Sequence, residues 1–140
     1  FGGPFLTLHP LEYAELLREK INKFNVPAFL VNTGWVGASA ESGAKRISLP
    51  ITRKIIYAIL DGTINESDFE LDPYFGVEVP TKLHDINSSI LIPSKAWNSN
   101  EDYSKIAEHL VDKFQNNFAE YDIDDEKIRN AGPKKANIGV

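Results

Sequence analysis

Residues 10–31 read PLEYAELLREKINKFNVPAFLV, and the fold class turns on them. Pro10 suits a first helical position, where its fixed φ is already helical and its missing N–H would have no partner. Tyr13, Ala14, Leu17, Ile21 and Phe24 recur at spacings of three and four and make one apolar face. Glu12, Glu15, Arg18, Glu19 and Lys23 fill much of the rest. Asn25 and Pro27 end the helix, because the residue before a proline is pushed out of the α region. Ala28-Phe-Leu-Val31 is then a short apolar run of strand formers bounded by Pro27 and Thr33-Gly34, which predicts a buried strand. Helix, short connection and buried strand together predict an α/β fold with mixed sheet strands and packed helices.

Outward from this pair, residues 33–44 are rich in glycine and small side chains and are expected to form a long loop. Lys45-Arg-Ile-Ser-Leu49 alternates and predicts a strand. Pro50 opens a second helix ending near Leu60, with Ile55, Ile56 and Ile59 on one face and Asp61-Gly62 as the stop. Phe75-Gly-Val-Glu-Val79 also alternates like a strand, and Ile90-Leu-Ile92 reads as a further strand or a surface crossing. Ser99 with Asp102 approximates a capping box. Behind it Tyr103, Ile106, Ala107, Leu110, Val111, Phe114, Phe118 and Tyr121 form one long stripe. At about 2 kcal/mol per fully buried large side chain, such a stripe must pack against something. Asp122 to Glu126 lead into a short helix ending at Gly132-Pro133, and residues 134–140 are expected to be a disordered tail.

The 140 residues are 42% hydrophobic and 25% charged, enough for a real core. Fifteen Lys and Arg against twenty Asp and Glu give a net charge of −5. That balance argues against nucleic acid or an anionic membrane as partner. The absence of cysteine removes disulfides, thiolate nucleophiles and cysteine metal sites. No apolar run reaches the roughly 18 residues of a membrane span, and the start lacks a charged, signal-like region, so the expected location is cytoplasmic. A chain beginning at Phe1 and holding no Met reads either as trimmed at its ends or as an internal-to-C-terminal piece of something longer.

His9, His84 and His109 have no metal-like spacing and are expected to be structural or solvated. The acids at 122–126 lack the glycine and terminal Glu of a calcium loop and suit a helix start instead. Neither a nucleophile elbow nor a Walker A sequence occurs. What remains is residues 43–53, GAKRISLPITR. On a strand, Arg46 and Ile47 face opposite ways and offer a cation to one side and an apolar wall to the other. Thr52, in the first turn of the next helix, places a hydroxyl where free N–H groups point. This suits a ligand with an anionic and a flat apolar part, such as a nucleotide. A Lys-Arg pair on solvated surface is the competing reading.

The residues FGGPFLTLHP at 1–10, LVNTGW at 30–35, KRISL at 45–49 and the Thr52-Arg53 pair resemble the C-terminal part of ATP-dependent phosphoenolpyruvate carboxykinases. Ile59-Leu-Asp-Gly62, Asn117-Phe118 and Ala131-Gly-Pro133 fit the same family in the same order, so residues 1–133 are covered. The resemblance implies part of a C-terminal mononucleotide-binding domain, from an enzyme that converts oxaloacetate and ATP to phosphoenolpyruvate, CO2 and ADP in gluconeogenesis. It implies ATP/ADP as nucleotide, with Mg2+ and Mn2+ held by residues upstream, and the remainder of the same polypeptide as partner. The P-loop also lies upstream, so this chain alone is expected to be inactive as a carboxy-lyase. Family nucleotide contacts map onto Arg46, Ile47 and Thr52; no metal ligand and no catalytic residue maps onto this segment. The family loop reads Gly-x-Gly-Lys-Arg, and Ala44 replaces its second glycine. The alternatives are a stand-alone, non-catalytic nucleotide-binding module of the same fold, or an interaction domain without ligand.

Overall fold

A computed structural model describes residues 5–38, 42–121 and 123–136. The chain divides into two compact units, residues 1–30 and 31–140.

In the first unit α1 spans Pro10–Phe24, as the periodicity predicts. The His9 ring accepts the Leu11 N–H at 3.3 Å and caps the helix. Asn25 ends it in the left-handed conformation at φ 47°, one of the few non-glycine side chains at ease there. The Tyr13 hydroxyl accepts the N–H groups of Thr7 and Leu8, tying the entering segment to the helix. The apolar face is real but uncovered: no α1 residue is buried, and Leu17 and Phe24 stand exposed. The strand expected at Ala28–Val31 is not formed, and Leu30 is 91% exposed. A strand exists through its ladder, and among the described residues none pairs with this run.

The second unit begins with the loop over residues 33–44, of which 39–41 lie outside the described residues. The strand expected at Lys45–Leu49 shrinks to one antiparallel bridge between Trp35 and Arg46, because Leu49 already belongs to α2 (Leu49–Leu60). Gly62 (φ 85°) follows the helix and leads into a 3-10 turn, Thr63–Glu66. β1 (Phe69–Leu71) and β2 (Glu78–Pro80) form an antiparallel hairpin pairing Phe69 with Pro80 and Leu71 with Glu78. The expected Phe75–Val79 strand is therefore displaced. Buried Asp72 accepts the N–H groups of Tyr74 and Phe75 at 3.0 and 2.8 Å, and this side-chain turn claims Phe75 and Gly76 for the hairpin loop.

Ile90–Ile92 is neither strand nor plain surface crossing. Asn87 accepts the Ser89 N–H at 3.0 Å and nucleates the short helix α3 (Ser88–Leu91), followed by a 3-10 turn at Pro93–Ala96. Ser99 caps α4 (Asn100–Ala119), accepting the N–H groups of Glu101 and Asp102. Asp125 does the same for α5 (Glu126–Ala131), so that acidic stretch serves a helix start; Asp122 lies outside the described residues.

A small core gathers Tyr74, Ala107 and Val111, with Phe75, Tyr103 and Ala136 against them. Tyr74 meets Tyr103 edge-on at 5.8 Å, and Phe75 meets Phe114 likewise at 6.0 Å. The α4 stripe is fully buried at Ala107 and Val111 and partly covered at Tyr103 and Phe118; Ile106, Leu110 and Phe114 remain exposed. The tail expected to be disordered from 134 is docked through 136. Lys134 N–H donates to Tyr74 O at 2.8 Å, Lys135 pairs with Asp112 at 2.9 Å, and Ala136 reaches the core. Residues 137–140 lie outside the described residues. Among the described residues no helix is long and apolar enough to cross a membrane.

Candidate functional site

Of the residues singled out by sequence, Arg46 and Ile47 lie at the bridge between Trp35 and Arg46, and Thr52 lies further on, in α2. Asn32 closes a tight turn ahead of it. Its Oδ1 accepts the Gly34 N–H at 2.8 Å, and its Nδ2 donates to the Trp35 carbonyl at 3.1 Å. The second arm of the bridge lies against this turn. Arg46 Nε–H donates to the Thr33 carbonyl at 2.8 Å, and Ile47 N–H donates to the Gly34 carbonyl at 2.7 Å. The Arg46 guanidinium carbon lies 5.8 Å from the centre of the Trp35 ring, within cation–π range.

Arg46 and Ile47 separate as alternation demands: Arg46 is exposed, and Ile47 is buried at 7% exposure. The apolar surface presented beside the guanidinium thus belongs to Trp35, 46% exposed, and not to Ile47. Thr52 sits in the first turn of α2 at 9% exposure, its N–H bonded to Ser48 O at 3.0 Å. Ser48 gives α2 no side-chain cap, so the Leu49 and Ile51 N–H groups receive none from it, and Pro50 has no N–H to offer. No hydrogen bond joins Thr52 to Arg46; the two are related through the short segment between them.

The loop that carries Trp35 is anchored behind. Gly37 has φ +81° and lies so close to the 3-10 turn at Pro93–Ala96 that a Cβ would come within 2.6 Å of the Ala96 carbonyl. Gly43 has φ +76°, and among the described residues nothing would lie within 4 Å of a Cβ there. Ala44, where a second glycine was expected, is not among the residues of positive φ, so its Cβ carries no left-handed strain.

Chemically, this arrangement is a pre-set cation beside an aromatic face. The cation is the Arg46 guanidinium. Its Nε is committed to Thr33, and among the described residues its two Nη groups have no hydrogen-bond partner. Such a group can donate to an anion or a ring acceptor without reorganising. Sequence reading singled out Arg46, Ile47 and Thr52 but passed over Asn32, whose Asn-x-Gly spacing was the available signal for a side-chain turn.

Other ionisable groups lie apart from it. His84 is exposed beside Asp85, which also pairs with Lys54 at 3.4 Å. These line an open hollow of about 600 Å3 with Tyr57, Asp61 and Lys82, and none of Arg46, Ile47 or Thr52 contributes to it. Among the described residues no group of three or more His, Asp or Glu could hold a metal ion. Burial, then the Asp72 carboxylate, pushes the Tyr103 hydroxyl up to about 12, in the core and away from Arg46.

Residues 1–89 match the family model described as phosphoenolpyruvate carboxykinase. The phosphoenolpyruvate carboxykinase (ATP) of Caldanaerobacter subterraneus subsp. tengcongensis is 44% identical over 134 residues, which is 96% of this chain and 26% of the relative. The enzyme of that name from Novosphingobium aromaticivorans is 43% identical over 138 residues, 97% of this chain and 26% of its own length. That from Eremothecium gossypii is 40% identical over 136 residues, with 96% and 25% covered. The chain spans about a quarter of the length of these relatives. The matched order runs through the turn, the bridge and α2, and the chain belongs to the phosphoenolpyruvate carboxykinase family.

Proposed function

We propose that this chain is the adenine-side portion of an ATP-dependent phosphoenolpyruvate carboxykinase, within its C-terminal mononucleotide-binding domain. The parent enzyme converts oxaloacetate and ATP to phosphoenolpyruvate, CO2 and ADP. Arg46 donates to the nucleotide through its outer nitrogens, Ile47 supports the apolar side, and Thr52 lies at the α2 start that faces it. The observation that carries this reading is the fixed Arg46 guanidinium, bonded to Thr33 at 2.8 Å and laid over Trp35. The P-loop, the ligands for Mg2+ or Mn2+ and the oxaloacetate-binding groups belong to the remainder of the polypeptide. Phosphoryl transfer depends on that positioning and metal electrostatics, so the 140 residues alone are inactive.

The test is made in the full-length enzyme. Arg46→Ala weakens ADP binding roughly ten- to hundredfold, the value of a charge-assisted hydrogen bond of about 1.5–3 kcal/mol. Thr52→Ala costs less, because a neutral hydroxyl contributes about 1 kcal/mol. Oxaloacetate affinity at saturating nucleotide stays unchanged in both. Calorimetric titration of ADP reads the first effect and steady-state kinetics the second. An Arg46→Ala enzyme with unaltered ADP affinity overturns the assignment and returns Lys45-Arg46 to solvated surface. A native reading frame with no G-x-x-x-x-G-K-[ST] ahead of Phe1 would favour a non-catalytic module instead.

A further inference from the structure

Arg46 can act as a ready-made donor only if something holds it, and its contacts converge on one side chain. Thr33, Gly34 and Trp35 each give one contact to the second arm of the bridge. Thr33 O accepts Arg46 Nε–H at 2.8 Å, Gly34 O accepts Ile47 N–H at 2.7 Å, and the Trp35 ring lies under the guanidinium. All three residues lie in the turn closed by the Asn32 carboxamide, through its bonds to Gly34 N–H (2.8 Å) and Trp35 O (3.1 Å). The glycine at 34 is part of the fit, because a Cβ there would stand 3.3 Å from Asn32 Oδ1.

We propose that Asn32 is a positioning residue for the nucleotide contact: its carboxamide fixes the 33–35 turn, and the turn fixes the Arg46 guanidinium and the Ile47 backbone. The inference rests on the assignment of Arg46 to the nucleotide. A free arginine side chain loses much rotamer freedom when it engages a ligand. A guanidinium already held at Nε and over a ring has lost most of it beforehand, so binding is tighter for the same contact. Asn suits the role because one side chain supplies both an acceptor and a donor.

The experiment is a double-mutant cycle in the full-length enzyme, with ADP as the probe in calorimetry and the KM for ATP in kinetics. Asn32→Ala is expected to weaken ADP binding roughly three- to tenfold, the range of one or two neutral hydrogen bonds. The KM for ATP moves more than kcat. In an Arg46→Ala background the same change adds less than about twofold, since the group being positioned is gone. Asn32→Ser keeps an acceptor for Gly34 N–H and loses the donor to Trp35. It is expected to fall between wild type and Asn32→Ala, and it carries the test if the alanine variant does not fold. Unaltered ADP affinity in Asn32→Ala, or in Asn32→Ser where that variant alone folds, overturns the proposal. So does an undiminished effect in the Arg46→Ala background, which would mark Asn32 as structural only. If Arg46→Ala itself leaves ADP affinity intact, the nucleotide assignment falls and the positioning role with it, and that arm is read separately.

Discussion

Gly37 and Gly43 offer a matched pair for testing how the loop that carries Trp35 is anchored. Both have positive φ, +81° and +76°. Alanine at either site meets the same backbone penalty, about 1–2 kcal/mol for an L side chain in the left-handed region. They differ in surroundings. Among the described residues a Cβ at Gly43 has nothing within 4 Å, whereas at Gly37 it would stand 2.6 Å from the Ala96 carbonyl oxygen, against 3.4–4 Å for an ordinary contact. The neighbour there is backbone, within a 3-10 turn, and cannot rotate away as a side chain could. The overlap adds a packing penalty of about 1–3 kcal/mol. Gly37→Ala is therefore expected to destabilise the loop by about 2–5 kcal/mol and Gly43→Ala by about 1–2 kcal/mol. Native-state exchange of the Ile47 amide is the assay, because its bond to Gly34 O reports whether the loop stays closed on the bridge. Equal loss of protection in the two variants would refute the reasoning, because the close approach to Ala96 would then contribute nothing.

Two further outcomes concern the core. Among the described residues the Tyr74 hydroxyl is buried with no hydrogen-bond partner, and the residue is 2% exposed. Tyr74→Phe should leave stability unchanged or raise it by up to about 1 kcal/mol in urea unfolding, since an unpaired buried hydroxyl is a cost; a loss above 1 kcal/mol would mean the hydroxyl has a partner. The Tyr103 hydroxyl is raised to about 12 by burial first and by Asp72 second, against an ordinary value of 10. A raised acid stabilises the fold fully below its unfolded pKa, and that contribution is lost as pH climbs from 10 through 12. An alkaline unfolding transition in this window should weaken in Tyr103→Phe, and an identical transition in both proteins would exclude Tyr103 as its source.

The helices were legible in the sequence because their signals are local. Pro10, Ser99 and the three-and-four spacing of α1 and α4 act within a few residues, and the structure places those ends where the residues direct. The strands were not legible to the same degree. Ala28–Val31 has the composition of a buried strand, yet what makes a strand is a neighbour, and none among the described residues pairs with it. The uncovered faces of α1 and α4 belong to the same physics. Leu17, Phe24, Ile106, Leu110 and Phe114 are patterned for burial and remain exposed. A pattern written for contacts beyond these 140 residues leaves that mark, and it agrees with a chain spanning about a quarter of its relatives. Phe75–Val79 failed for a local reason instead: the Asp72 side-chain turn outcompeted the alternation.

At the candidate site, residue type was readable and arrangement was not. Alternation alone set Arg46 and Ile47 on opposite faces, and that separation is present in the single bridge that remains of the expected strand, with Arg46 exposed and Ile47 buried. The contacts that hold Arg46 come from residues 11 to 13 positions earlier, across a loop whose path no local propensity specifies. The Ala44 substitution shows how the two levels differ. By sequence, a Cβ in a glycine position threatens a left-handed backbone. In the structure Gly43, one position earlier, is left-handed, and Ala44 needs no positive φ. Gly43 stands at the variable position between the two family glycines and takes the positive φ itself, so the departure at 44 carries no backbone strain into the approach to Arg46.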